Sequence, residues 1–201
     1  MLKLMGSPGS RAFRVIWLLE ELELEYKLLN LPPHHKELLT FNPSGKVPAL
    51  LDGDTCIIDS AAICHYLADK HQEFTFSPGT KQRALQDSFT FFALDDFETP
   101  LWTHGKNIFA LPEAQRVPQI LDQCKNEFAK ALKTFEIRLG DNEYVMGETF
   151  TIADIFLTHC MTWATSSRFE IPKGNLSRYI KNARSRPAYL RASEVRRQQS
   201  R

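Results

Sequence analysis

Ser7 and Ser10 stand in the stretch SPGSRAFRV, between a short apolar run and a strongly helical pattern. A hydroxyl there has three possible uses. It can cap the helix beginning near Arg11, because serine accepts from the orphan N–H groups of a first helical turn. It can be a covalent nucleophile, but no GxSxG elbow surrounds either serine and no obvious base lies nearby. Or it can donate to a thiolate. A thiol of ordinary pKa, about 8.5, is mostly neutral at pH 7, and each unit of depression corresponds to about 1.4 kcal/mol. A charge-assisted hydrogen bond, worth about 1.5–3 kcal/mol, together with a helix N-terminus can supply that much. Residues 7 to 15 hold no cysteine, so the sulfur would belong to a bound thiol.

Two further stretches could hold a small ligand. In NPSGKVPALLDG, residues 42 to 45 force a turn and Val47-Pro48 opens a strand. A cis Val47-Pro48 bond would turn the Val47 backbone outward, where an extended peptide could pair with it as an added strand; a trans bond is the commoner state. In IIDSAAI, Asp59 or Ser60 can cap the helix that follows. The same orphan N–H groups, the Ser60 hydroxyl and the helix dipole can hold a ligand carboxylate. Capping and binding can coexist.

The elements that must position these residues are readable from periodicity. Residues 2 to 5, LKLM, suit a strand, and Val15, Leu18, Leu19 and Leu22 give a helix with one buried stripe over 11–23. EYKLLNL is extended up to the Pro32-Pro33 break, and a polar loop follows. VPALLD and TCIID, separated by Gly53-Asp54, predict a hairpin, and residues 60 to 70 return to helical spacing. Beyond the turn-rich FSPGT the pattern is helical throughout. Leu85, Phe89 and Phe92 form one stripe, and Val117, Leu121, Cys124, Phe128, Leu132, Phe135 and Leu139 form a long core-facing seam. Thr151 and Asp154 in ETFTIADIF make a capping box with Asp in the place of Glu or Gln, flanked by a Phe150/Ile155 staple, a folding feature without a catalytic role. The composition switches near residue 78, from a small α/β unit to an all-helical one.

The 201 residues are 43% hydrophobic and 24% charged, with 25 basic against 24 acidic side chains and a net charge of +1. That balance argues against a general nucleic-acid binder. The basic tail RASEVRRQQSR reads as a solvated, frayed terminus. Cys56, Cys64, Cys124 and Cys160 show neither CxxC nor zinc-ligand spacing, which fits buried thiols in a reducing compartment. With no signal-like segment and no run of 18 apolar residues, a cytoplasmic protein with no membrane partner is expected.

Taken in order, SPGSRAFRV, WLLEELELEY, NPSGKVPAL, DSAAICHYLAD, MGETFTIADIF and RYIKNARSRPAYLRA resemble the cytosolic glutathione transferases over nearly the whole chain. The resemblance implies an α/β plus all-α fold. A thioredoxin-like, glutathione-binding domain would occupy residues 1–77, and an all-helical domain forming the electrophile pocket residues 83–201. It implies a cis Val47-Pro48. By position, Ser10 is the first choice for the donor to the glutathione sulfur and Ser7 the second. Val47 would pair with the cysteinyl part, Asp59 and Ser60 would hold the γ-glutamyl end, and Lys46 with His34, His35 or Lys36 would meet the glycyl carboxylate. Trp102, His104, Phe109 and Trp163, with Phe169, are the aromatics available to an apolar electrophile.

Two departures qualify it. Asp59 stands where the family usually has Glu, and the cysteine-free turn points to the serine-using classes, which include many bacterial members. The implied activity is conjugation of the glutathione thiolate to small apolar electrophiles, with glutathione as co-substrate, no metal, and a homodimeric assembly. Glutathione-dependent peroxidase chemistry and a non-catalytic binding or assembly role are the alternatives; no residue marks an isomerase or a dehalogenase.

Overall fold

A computed structural model describes residues 1–199. It divides into two compact units, Met1–Ser77 joined by the segment from Ser185, and Pro78–Arg184.

In the first unit, β1 (Leu2–Met5), β2 (Tyr26–Leu29), β3 (Ala49–Asp52) and β4 (Thr55–Ile58) form one sheet in the order β2-β1-β3-β4. β1 runs parallel to β2 with Leu4 opposite Leu28, and antiparallel to β3 with Leu4 opposite Leu50. Ala49, Leu50 and Leu51 are buried in succession, as a strand covered on both faces requires. The β3–β4 hairpin turns at Gly53, whose φ of +59° suits a residue without Cβ. Its end is tied to α3 (Ser60–His71) by Tyr66, which donates to Asp52 at 2.6 Å, and by a Lys70–Asp52 ion pair. The polar loop predicted after Pro33 contains one short helix, α2 (Lys36–Leu39), anchored by buried Leu38.

α1 (Ala12–Glu21) departs from the single stripe that its spacing predicts: every residue from Ala12 to Leu19 is buried. The reason is α9 (Pro187–Gln199), which covers its second face. Tyr189 meets Trp17 and Phe13 edge-on, with ring centroids 4.8 and 5.6 Å apart. Arg186 grips Glu21 through two bonds of 2.6 and 2.8 Å, and Arg191 pairs with Glu20 at 3.0 Å. The tail expected to fray is thus helical as far as Gln199, while Ser200 and Arg201 lie outside the described residues. The last helix groups with the first unit, where the sequence reading assigns it to a helical domain spanning 83–201.

In the second unit α4 (Lys81–Phe92) continues without a break through a π-helical stretch (Ala93–Glu98), α5 (Thr99–Gly105) and a second π-helical stretch (Lys106–Ala110). α6 (Ile120–Leu139), α7 (Ile152–Ser166) and α8 (Asn175–Ser185) follow. Phe97 sits at the centre of an aromatic core, 4.9 Å from Phe128, 5.2 Å from Phe92 and 5.6 Å from Phe135. Two members of the predicted stripes fall outside it. Leu85 is 58% exposed, and Val117 is 51% exposed and precedes α6. Among the described residues this unit has no strand, only the isolated bridges Tyr144–Gly147 and Met146–Thr149.

The capping box at α7 forms and extends further than its motif. Asp154 is fully buried and accepts four hydrogen bonds. Oδ2 takes the Thr151 N–H at 2.8 Å and hydroxyl at 3.2 Å; Oδ1 takes the Val145 N–H at 3.0 Å and the Tyr179 hydroxyl at 2.8 Å. One carboxylate thereby ties α7 to the preceding turn and to α8.

Candidate functional site

The turn from β1 into α1 is tight because Gly6, at φ +140°, lies against both sides of it. A Cβ there would come within 3.0 Å of Ala12 Cβ and 3.1 Å of Val47 Cβ. The two serines hold different roles in this turn. Ser10 donates its hydroxyl to the Ser7 carbonyl at 2.7 Å and accepts the Ala12 N–H at 3.2 Å, so its one proton is committed to the backbone. Ser7 Oγ accepts the Gly9 N–H at 3.2 Å, and no described residue accepts its proton.

The loop facing this turn is built by Asn42, which is buried. Its amide donates to the Lys46 carbonyl at 2.8 Å, and its oxygen accepts the Ser44 N–H and hydroxyl at 3.1 and 2.8 Å. The Val47-Pro48 bond is cis. Val47 packs its side chain on the cluster of Met5, Leu38, Ala49 and Leu51. No hydrogen bond among the described residues uses its N–H or carbonyl. His34, at φ +61°, donates its N–H to Gly45 at 2.8 Å, and its ring lies so close that a Cβ on Gly45 would fall 2.2 Å from Nδ1. His35 caps α2 by accepting the Glu37 N–H at 3.3 Å, and Lys36 and Lys46 are exposed. These basic side chains thus sit on one loop, residues 34 to 46, braced by Gly45.

At the head of α3, Asp59 is the cap and Ser60 the first helical residue. Asp59 Oδ1 accepts the N–H of Ala61 at 2.8 Å and of Ala62 at 3.3 Å. Its backbone holds φ +75°, an uncommon conformation for a side-chain-bearing residue and one that often marks functional turns. Ser60 is buried, and its Oγ accepts from Arg14 Nη1 at 3.2 Å. Arg14 escapes the sequence reading. The available signal is that it is the one charged residue in the apolar run AFRVIWLL; its side chain is fully buried. Burial pushes the nearby Cys64 thiol far up, which keeps it protonated and inert. All four cysteines are free, and only Cys56 is partly exposed.

The aromatics of the helical unit sort into two groups. Trp102 and His104 lie in α5, Phe109 in the π-helical stretch after it and Trp163 inside α7. His104, half-buried, packs edge-on to Phe169 at 4.8 Å, and the buried Phe169 packs edge-on to Phe128 at 5.3 Å. Burial, with Lys125 nearby, lowers the His104 pKa and favours the neutral ring. Phe109 is 65% exposed, and its ring passes over Gly105, where a Cβ would meet it at 3.2 Å and Trp102 at 3.9 Å. Trp163 lies 6.5 Å from the His159 ring. A shallow polar depression lined by Asp141, Glu143, Glu148 and Arg178 contains none of the predicted residues. No described group of three or more His, Cys, Asp or Glu could hold a metal ion, and no described helix is long and apolar enough to cross a membrane.

The glutathione S-transferase N-terminal domain model matches residues 1–69, and the C-terminal domain model matches residues 99–187. Glutathione S-transferase F13 of Arabidopsis thaliana is 29% identical over 207 residues, spanning 96% of this chain and 94% of its own. The disulfide-bond oxidoreductase YfcG of Escherichia coli is 26% identical across 94% of this chain and 92% of its own. Among solved structures, the glutathione transferase URE2P6 of Phanerochaete chrysosporium, in complex with oxidized glutathione, superposes with a TM-score of 0.87. It is 25% identical, over 98% of this chain and 97% of that one. The fold is the family's two-part arrangement, a thioredoxin-like sheet-and-helix domain followed by helices. This chain is a member of the cytosolic glutathione S-transferase superfamily.

Proposed function

We propose that this protein is a glutathione transferase that joins the glutathione sulfur to small apolar electrophiles. The observation that carries the reading is the Val47 backbone, whose N–H and carbonyl have no partner among the described residues. It lies in the unit that the N-terminal domain model matches. An extended tripeptide pairing there as an added strand has the Asp59–Ser60 turn available for its γ-glutamyl end. The Lys46, His34, His35 and Lys36 segment supplies cationic and N–H groups for its glycyl carboxylate. In the reaction the thiol proton goes to solvent and the thiolate attacks an electrophilic carbon. A C–S bond forms, and the leaving group departs with its electron pair. Trp102, His104, Phe109 and Trp163 are the aromatic side chains proposed for the apolar acceptor.

The sulfur-facing hydroxyl is that of Ser7 rather than Ser10. Ser10 already donates to the Ser7 carbonyl, whereas the Ser7 proton is uncommitted. Ser7→Ala is expected to raise the pKa of the bound thiol by about one to two units, read from thiolate absorbance. Turnover of 1-chloro-2,4-dinitrobenzene at pH 7 falls about 10- to 100-fold, the worth of one charge-assisted bond. Ser10→Ala changes both much less. The reverse result moves the role to Ser10, and loss in neither variant refutes a serine donor. Absence of any heat of binding with glutathione at millimolar concentration refutes the whole reading.

A second reading uses the same cradle against a different atom. YfcG, the oxidoreductase relative, aligns over nearly the whole chain, which favours testing sulfur and oxygen acceptors. The bound thiolate would attack a mixed disulfide and expel its thiol. Or it would attack an organic hydroperoxide, giving the alcohol and a sulfenate that a second glutathione converts to disulfide and water. Rates on a panel of one aryl halide, one glutathione mixed disulfide and one hydroperoxide decide between them. We also propose that the protein is a homodimer, as the resemblance implies. Light scattering at micromolar concentration is expected to give twice the chain mass, and a monomer overturns this.

A further inference from the structure

Arg14 brings a charge to a place where the surrounding sequence is apolar. Its side chain is fully buried within α1, and a buried guanidinium is costly unless acceptors meet it. One of those acceptors is the Ser60 hydroxyl, at 3.2 Å and 46 positions away in the chain. Guanidinium carries five donors and no acceptor, and it does not lose its proton. The bond can therefore run in one direction only. Ser60 Oγ must accept from Arg14, and its own proton must point elsewhere. No described residue takes that proton. It is left at the head of α3, beside the first N–H groups of a twelve-residue helix, where the dipole favours a carboxylate.

We infer that Arg14 is a positioning residue for the ligand's γ-glutamyl α-carboxylate: by donating to Ser60 it makes that hydroxyl a fixed donor to the ligand, without itself touching glutathione. The inference rests on the glutathione reading above. It accounts for a charged residue in a helix face that packing alone would fill with an aliphatic side chain.

The test uses the full chain and measures glutathione binding by calorimetry alongside steady-state kinetics. Arg14→Gln, whose amide can both donate and accept, is expected to raise the Kd and KM for glutathione about 10-fold and leave kcat within about 2-fold, since tenfold steps report one lost interaction. Arg14→Lys, which keeps a cationic donor, recovers most of that loss. Ser60→Ala weakens binding as well, and adding Arg14→Gln to it costs nothing further. A glutathione analogue lacking the γ-glutamyl α-carboxylate binds the wild type and Arg14→Gln equally, an outcome that mere loosening of the fold would not produce.

Unchanged affinity in Arg14→Gln, additive losses in the double variant, or a fall in kcat at constant KM overturns the inference. Should Arg14→Gln fail to fold, the same cycle is run with Arg14→Lys. A loss of about 2- to 3-fold that vanishes in the Ser60→Ala background supports the inference, and an additive loss overturns it. A wild type that binds no glutathione refutes the reading beneath. A wild type that binds glutathione, with Arg14 indifferent, refutes this inference alone.

Discussion

Two aspartates guard helix N-termini in this molecule, one in each unit, and they do opposite work. Asp154 at α7 is sealed: it is fully buried, and its carboxylate meets four donors from three parts of the helical unit. Asp59 at α3 is open. It is exposed, one oxygen accepts from Ala61 and Ala62, and its backbone sits at φ +75°. Aspartate in the opening of a helix, as the cap of α3 or at the third position of α7, becomes a brace where every lone pair is met, and a candidate ligand contact where acceptor capacity and solvent access remain. Burial and satisfaction decide between the two, not residue type.

The difference can be broken most forcefully at Asp154. Asp154→Ala leaves the Val145 N–H, the Tyr179 hydroxyl and both Thr151 donors buried without their acceptor. Orphaned donors cost about 1–3 kcal/mol each, with partial relaxation, so urea unfolding should show a loss of about 3–5 kcal/mol. Whatever folds should bind glutathione as the wild type does. A stable variant with weakened binding would erase the distinction.

A smaller effect tests the same brace by pH. Burial pushes the Asp154 carboxyl up from 3.8 to about 6, against the pull of its four donors. Between those values the folded state binds more protons than the unfolded one, so stability falls as pH rises. The contribution is fully present below pH 3.8 and lost by the time pH passes about 6. The advantage of the wild type over Asp154→Asn should shrink by about 3 kcal/mol across that window, at 1.36 kcal/mol per unit. A constant difference from pH 4 to 7 would show that burial does not shift this group.

The smallest effect on stability belongs to Asp59. Asn caps as well as Asp and tolerates positive φ, so Asp59→Asn should unfold within about 0.5 kcal/mol of the wild type. Glutathione affinity should nevertheless fall several-fold, because the proposed contact of Asp59 with the γ-glutamyl end would lose its charge. Equal loss of stability in the Asp59 and Asp154 variants would make both aspartates braces.

The hairpin and the capping box were legible because each rests on contacts near in sequence, and the other strands because each is a short apolar run of its own. Gly53-Asp54 sits between the hairpin's two strands, and Thr151 lies three residues from Asp154. What escaped depends on distant partners. The second buried face of α1 exists only because Tyr189 and Arg186 return to it from the far end of the chain. Arg14 finds Ser60 across 46 positions, so a reading of neighbouring residues sees only a charge in an apolar helix. The π-helical stretches around α5 carry no signature in apolar spacing, because they change hydrogen-bond partners without changing which residues are apolar. Of the two serines, the family resemblance favours Ser10, whose proton goes to the Ser7 carbonyl, a bond that spacing does not reveal. The cis Val47-Pro48 bond was legible only through the family resemblance, not through its residues.

The grip of α9 on α1 has a consequence for biosynthesis. Trp17 and Phe13 leave the ribosome well before the aromatic and arginine groups that shelter them, since Arg186 comes 165 positions after its partner Glu21. Until those groups emerge, α1 carries a bare oily stripe. In that interval such surface is open to chaperones and to aggregation.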